Sequence, residues 1–257
     1  MLLYGPHMLD APGGRSDFRV MLEIRQLSKS FGSLRAVDNV DLVVERRAAL
    51  GIVGPNGAGK STLFNLITGD LRPDAGTVRL DHRDITAATP YERSRAGIAR
   101  TYQVPQPFEN LTVFENLLVG AVYAQGRREH EITDFCAEIL GRTHLMRRAD
   151  SPAGSLTLLE RKRLELARAL ATGPKLLLLD EIAGGLTEGE CQELIETIRL
   201  IHAAGTTIVW IEHIVHALLA VVGRLIVLDF GRMIAQGEPQ VVMRSAEVRE
   251  IYMGIEA

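Results

Sequence analysis

The nine-residue run Gly54-Pro55-Asn56-Gly57-Ala58-Gly59-Lys60-Ser61-Thr62 fits the pattern G-x-x-x-x-G-K-[ST]. Apolar Gly51-Ile52-Val53 precedes it and the helical pattern STLFNLITG follows it. Only in such a strand-to-helix setting does the pattern have a mechanism. Glycines let the N–H groups from Gly57 to Ser61 curl around an anion without side-chain clash. The helix start adds partial positive charge. Lys60 is a compact cation for β- and γ-phosphates, and Ser61 offers a hydroxyl to Mg²⁺. The plain alternative is a glycine-rich turn of no function; the flanking strand and helix favour phosphate. A second run, Leu176-Leu177-Leu178-Leu179-Asp180-Glu181, is apolar and ends in two acids. Alone it reads as a core strand with polar residues at its exit. Paired with the loop, Asp180 is placed to hold the metal through water, and Glu181 to polarise an attacking water as general base.

These residues need strands and helices to position them. From Met21 to Val53 the pattern is strand-like: MLEIRQL alternates, VDNVDLVV is β-branched, and AALGIV is a short buried run. GTVRL is a further strand, entered by the turn RPDAG. KLLLLDE and TTIVWIE are buried strands. Between them Cys191, Leu194, Ile195, Ile198 and Ile201 line one helix face, which Gly205 stops. HIVHALLAVV reads as helix, and RLIVLD-FGR-MIAQG as a hairpin. Strands alternating with helices predict an α/β core with a parallel sheet. Residues 107–172 read as mostly helical, with LTVFENLLVGAVYA and FCAEILGR as segments, and form an inserted helical subdomain. Residues 1–20 have clustered Gly and Pro and no period, and read as a flexible tail; Met21 is an alternative start. They lack the basic start and long apolar run of a secretion signal.

Bulk properties narrow the classes. The chain has 257 residues, 46% hydrophobic and 24% charged, which is ordinary globular composition. A net charge of −3 gives no basic field for nucleic acid. Cys136 and Cys191 are far apart and without metal-like spacing. No apolar run approaches the roughly 18 residues that span a bilayer. A role at a membrane is therefore one exercised from its surface.

From Met21 onward the order of motifs resembles the ATP-binding subunit of an ABC transporter. The resemblance implies a P-loop NTPase fold of the ABC ATPase type: a mostly parallel core sheet, an antiparallel β subdomain and an inserted α-helical subdomain. ATP and Mg²⁺ are the implied ligands. By the same resemblance Phe31, in SKSFGSLRAV, stacks on adenine; its plain alternative is a strand core residue. Gln103, in ARTYQVPQPFENLTVFENL, contacts Mg²⁺ and links the core to the helical subdomain, with Gln106 as fallback. His213, at a strand end in VWIEHIVHAL, senses the γ-phosphate. A His213/His216 metal pair lacks a third ligand. Gly184-Gly185-Leu186-Thr187 takes the place of the loop that communicates across a dimer, with Thr187 for the usual acid and Ile182 for the usual proline. The phrase ARTYQ…LTVFENLLVGA and the terminal GEPQVVMRSAEVREIYMG are similar to subunits of branched-chain amino acid importers and their relatives for other amino acids, amides and urea. The implied partners are a second ATP-binding subunit, identical or homologous, transmembrane permease subunits, and indirectly an extracytoplasmic solute-binding protein. The implied place is the cytoplasmic face of the inner membrane.

The family's leucine-serine-glycine-glycine-glutamine signature meets Leu156-Thr157-Leu158-Leu159-Glu160 here. The N–H donors of a helix start survive any side chain, so Leu158 and Leu159 still offer theirs. Thr157 keeps a hydroxyl. Thr157-x-x-Glu160 is also a capping box, which turns the Glu160 carboxylate toward its own backbone. Aimed at ATP instead, that carboxylate would repel the γ-phosphate. Arg161, Lys162 and Arg163 follow and would offset it, although a basic run is ordinarily a solvated face. Two other readings compete: an ABC ATPase without a transport partner, and a weakly hydrolysing regulatory partner of a second subunit. Asp229-Phe230-Gly231 matches a kinase tripeptide, but the rest of the kinase set is missing and the hairpin explains it.

Overall fold

The computed structural model describes residues 19–125 and 128–253. In chain order the elements are β1 (Val20–Phe31), β2 (Leu34–Glu45), β3 (Ala49–Val53), α1 (Lys60–Thr68), β4 (Ala75–Leu80), β5 (Arg83–Asp84), α2 (Pro90–Ala96) and β6 (Ile98–Arg100). Next come α3 (Val113–Gln125), α4 (Glu129–Arg142), α5 (Leu158–Ala171), β7 (Leu176–Asp180), α6 (Glu188–Ala203) and β8 (Thr207–Ile211). The chain continues with α7 (Val215–Leu219), β9 (Arg224–Asp229), β10 (Arg232–Gly237), α8 (Pro239–Arg244) and α9 (Ala246–Met253).

The strands form two sheets. One is antiparallel, in the order β2-β1-β4-β5; the other runs β10-β9-β3-β8-β7-β6. In the second, β9, β3, β8, β7 and β6 are parallel and β10 is antiparallel to β9. Period-two alternation assigns the two faces of the parallel sheet. Leu50, Ile52, Leu176, Leu178, Val209 and Ile211 pack with α1 and the antiparallel sheet. Val53, Leu177, Leu179, Ile208 and Trp210 pack on the opposite side, with the apolar face of α6 and with helices α3 to α5. Burial on both faces explains why these strands read as unbroken apolar runs. The helix α3 packs on α4 and α5, so the helices between β6 and β7 cohere as a group.

Two local expectations need adjusting, and a third is met. Residues 1–18 of the expected tail, and Gly254 of the terminal motif, lie outside the described residues. Arg19 and Val20 do not behave as tail: the Arg19 carbonyl accepts from the Arg46 N–H at 2.6 Å, and Val20 pairs with Glu45 in β1–β2. The helix expected over HIVHALLAVV is only Val215–Leu219. Val221 and Val222 still bond to the Leu218 carbonyl, but the chain must turn at Gly223 to enter β9. The tripeptide Asp229-Phe230-Gly231 is the turn between β9 and β10, with Phe230 exposed. Its Gly231 N–H bonds the Ala58 carbonyl at 3.0 Å, so the hairpin buttresses the glycine-rich loop.

Candidate active site

The strand β3 delivers the chain into the loop Gly54–Gly59, and α1 starts at Lys60. Two glycines are required by their surroundings. A Cβ on Gly54 would lie 2.1 Å from the Leu228 carbonyl oxygen. One on Gly59, at φ +98°, would lie 2.2 Å from that of Ala36. Ala58 is buried beneath the loop, Pro55 and Thr62 are half-buried, and Asn56, Gly57 and Ser61 are exposed along its crest. No side chain caps α1, so its first N–H groups face outward from a glycine. The Lys60 ammonium donates to the carbonyls of Gly54 at 2.7 Å and Pro55 at 2.9 Å. Burial pushes it below the usual lysine range, and the Glu181 and Asp180 carboxylates oppose that shift. Lys60 thus lies in the field of both acids.

Those acids leave β7 in different directions. Asp180 is buried, and its Oδ2 pairs with the Arg100 guanidinium at 2.6 Å. Arg100 also reaches Asn65 Oδ1 of α1 at 2.6 Å and stacks over Phe64 and Tyr102. The next residue, Thr101, accepts the Asp180 N–H at 3.2 Å. Glu181 adopts φ +46°, a left-handed conformation uncommon for a residue with a side chain. This turn brings three expected residues together. Gln103 donates Nε2 to Glu181 Oε2 at 2.5 Å, and His213 Nε2 lies 2.7 Å from Oε1. The fallback Gln106 is exposed and offers only its carbonyl, to Arg168 at 2.9 Å.

Glu212 also shapes this end of the sheet, although it was not among the expected site residues. It is buried at the end of β8, and burial pushes its carboxyl above the usual range. Its oxygens accept from the N–H groups of Ala183 at 3.1 Å, His213 at 2.9 Å and Ile214 at 3.3 Å. It therefore ties the segment after Glu181 to the one carrying His213. The sequence signal was an acid at the exit of TTIVWIE, beside the histidine already singled out.

Phe31 ends β1 with 48% of its surface exposed, so it is not a core residue. The Lys29 ammonium lies 5.8 Å from the centre of its ring. The signature residues sit elsewhere, at the start of α5. Thr157 is the cap: its hydroxyl accepts the Glu160 N–H at 3.3 Å, and Glu160 Oε2 accepts the Thr157 N–H at 2.9 Å. The expected capping box is therefore formed. The cation beside Glu160 is Arg148, at 3.3 Å, rather than any of the three that follow it. Arg161 instead donates to the carbonyls of Leu156 and Gly154, Lys162 is buried, and Arg163 pairs with Glu193. Leu158 is exposed beside Gly185, while Leu159 is buried. Thr187 caps α6 with the same box, through Glu190, and Ile182 is fully buried.

A parallel sheet, a glycine-rich loop at a helix start, and a carboxylate held at the end of another strand of the same sheet define an ATPase of the P-loop class. Residues 37–184 match the family model described as ABC transporter. The chain belongs to the ABC transporter family. It is 33% identical to the high-affinity branched-chain amino acid transport ATP-binding protein BraF of Pseudomonas aeruginosa, over 92% of this chain and 98% of that relative. It is 34% identical to LivG of Escherichia coli, which carries the same description, over 91% and 98%. Among solved structures, a nucleotide-free ATP-binding cassette of an ABC transporter superposes with TM-score 0.84 at 34% identity, covering 91% of this chain and 98% of that one. The ADP conformation of another such cassette gives TM-score 0.84 at 35% identity, over 91% and 99%.

Proposed function

We propose that this chain is the ATP-binding and hydrolysing subunit of an importer for branched-chain or other amino acids, or related small solutes. The observation that carries the hydrolytic assignment is the Glu181 carboxylate, held by Gln103 on one oxygen and His213 on the other, beside Lys60. The solute class follows the relatives' printed descriptions. In this reading Lys60 leaves its loop carbonyls to neutralise the β- and γ-phosphates, while Gly54–Thr62 supplies N–H donors. Phe31 offers its exposed ring to the adenine. Glu181 accepts a proton from the attacking water, and His213 and Gln103 fix its orientation. A hard-oxygen set of Ser61, Asp180 and the Gln103 amide suits Mg²⁺, with Asp180 giving up its Arg100 pair to reach the metal. When bound, the metal would screen phosphate charge.

The assembly is read from the same surfaces. Two copies, or one copy and a homologue, would place the Leu158 and Leu159 N–H groups and the Thr157 hydroxyl of one against the phosphate loop of the other. A groove of about 390 Å³ between α2, α3 and the residue 99–108 region exposes Tyr91, Tyr102, Phe108 and Tyr123, a surface suited to a permease segment. No helix among the described residues is long and apolar enough to cross a membrane. In this reading the chain serves the permease from the cytoplasmic face of the membrane. Closure of the pair on ATP would drive the permease outward, and hydrolysis would reset it.

Glu181→Gln tests the assignment. Binding of a fluorescent ATP analogue should persist while turnover falls by about 10²- to 10⁴-fold. Lys60→Ala should remove tight binding. ATPase near wild type in Glu181→Gln would show that Glu181 is not the base.

A further inference from the structure

Three side chains spaced three residues apart on α5 face the segment that carries Gln103. Lys162 Nζ donates to the Gln103 carbonyl at 2.7 Å. Glu165 Oε1 accepts the Tyr102 N–H at 3.3 Å. Arg168 donates to the Gln106 carbonyl at 2.9 Å and to Glu165 Oε2 at 3.2 Å, and its guanidinium lies 5.2 Å from the centre of the Phe108 ring. Among the described residues, the backbone hydrogen bonds of residues 102–107 all run to these three side chains. That segment has no helix or strand of its own. What fixes Gln103 at its backbone is therefore α5.

The burial of these groups is costly, which argues that they serve something besides packing. Lys162 is 3% exposed and Glu165 6%, on a helix whose other buried positions are leucine and alanine. Removing a charge from water costs several kcal/mol unless it is paired and hydrogen-bonded. Burial pushes the Lys162 ammonium down and the Glu165 carboxyl up from their usual ranges. The fields of Glu212, Glu165 and Glu181 act on Lys162 in the opposite sense. An apolar helix face would pack as well, but it could not hold a strandless backbone.

We infer that Lys162 and Glu165 are positioning residues, which fasten the Gln103 segment to the helix that begins at Thr157. The inference rests on the proposed function, in which Gln103 steadies Glu181.

Hydrogen exchange and steady-state kinetics on the full chain test this. Lys162→Met keeps the side chain's length and removes its donor. Exchange of the Tyr102 N–H, which Glu165 holds within this segment, should accelerate about tenfold while residues 158–171 stay at the wild-type rate. Turnover should fall about tenfold with KM unchanged, as for a displaced catalytic group. Lys162→Arg should restore both. Gln103→Ala should lower turnover in the wild type and add nothing in Lys162→Met, because the amide is already adrift. Glu165→Leu should release the same segment, and Glu165→Gln, which keeps an acceptor for Tyr102, should not. Wild-type exchange at 102–108 in both Lys162→Met and Glu165→Leu, or a fully additive double variant, overturns the inference. Glu181→Gln measured alongside separates the two readings. If it stalls turnover while 102–108 exchanges at the wild-type rate in Lys162→Met and Glu165→Leu, the positioning inference alone fails. If it does not stall turnover, the hydrolytic reading fails, and exchange at 102–108 still decides whether α5 holds the segment.

Discussion

The starts of α1 and α5 are built in opposite ways. The α5 start is closed by its own side chains: Thr157 and Glu160 satisfy each other's backbone N–H groups. The same Thr-x-x-Glu device closes α2 at Thr89 and Glu92, α3 at Thr112 and Glu115, and α6 at Thr187 and Glu190. The α1 start has Gly59 in that place and no side-chain cap. An uncapped helix start with a glycine pressed against a neighbouring carbonyl leaves its donors to a ligand, which in the proposed function is phosphate. A capped start still offers the donors between the capping residues, here Leu158 and Leu159. The two sites therefore tolerate substitution differently. At the phosphate loop the backbone shape demands glycine; at α5 the backbone supplies donors under any side chain.

The sharpest break of that contrast is Gly59→Ala. A methyl group 2.2 Å from the Ala36 carbonyl oxygen, on a residue at φ +98°, cannot be accommodated without moving β2 or the loop. Loss of about 3 kcal/mol or more of stability is expected in thermal melting, with ATP binding weakened at least about 100-fold. The converse change, Leu159→Gly, would restore one of the family's glycines. It should nonetheless destabilise by about 2–3 kcal/mol, from lost burial and lost helix propensity together. A stable, more active Leu159→Gly protein would show that the leucine is a defect rather than an anchor. Its 9% exposure argues for the anchor.

How much of this could be read from the sequence follows the same division. The phosphate loop, the strand ending at Asp180 and Glu181, the hairpin at Phe230 and the capping box were legible because each is short and contiguous. Gln103 and His213 came from resemblance; their meeting at Glu181 depends on the turn at φ +46°, which no local pattern signals. Arg100 was missed because its partner, Asp180, lies in a different strand. Lys162 was hidden inside a basic run that reads as solvated, although only Arg161 and Arg163 of that run remain near the surface. Glu160 turns toward its own backbone as expected, but Arg148, the cation beside it, comes from the 3-10 turn Met146–Arg148, twelve residues earlier in the chain. Local chemistry is encoded locally; the choice of a long-range ionic partner is settled only when the helices pack.

A smaller effect is expected at the cap itself. Thr157→Ala removes the acceptor for the Glu160 N–H and should lower stability by about 1 kcal/mol in denaturant titration. It also removes the one signature hydroxyl. If that hydroxyl reaches a partner's nucleotide, ATP-dependent dimerisation should weaken by more than the stability change explains. If dimerisation and melting fall in step, Thr157 is a cap and nothing else.

The smallest change asks the most specific question. Glutamine at position 160 keeps the capping box, because its amide oxygen can still accept the Thr157 N–H. What it loses is charge, and with it the Arg148 pair. That pair is partly solvated, with side chains 37% and 25% exposed, so its loss is worth no more than about 1 kcal/mol. Stability should therefore barely move. Turnover has a direction as well as a size: in the proposed dimer, a carboxylate at the signature face would repel an approaching γ-phosphate, and its neutralisation would remove that repulsion. Glu160→Gln is thus expected to keep the ATPase rate or to raise it by up to about twofold, the scale of one exposed, salt-screened charge. The gain should shrink as ionic strength rises. A severe loss with unchanged melting would mean that the carboxylate, and not merely its capping geometry, takes part in turnover, and the α5 start would then be a second site whose residue identity matters as much as glycine does at α1.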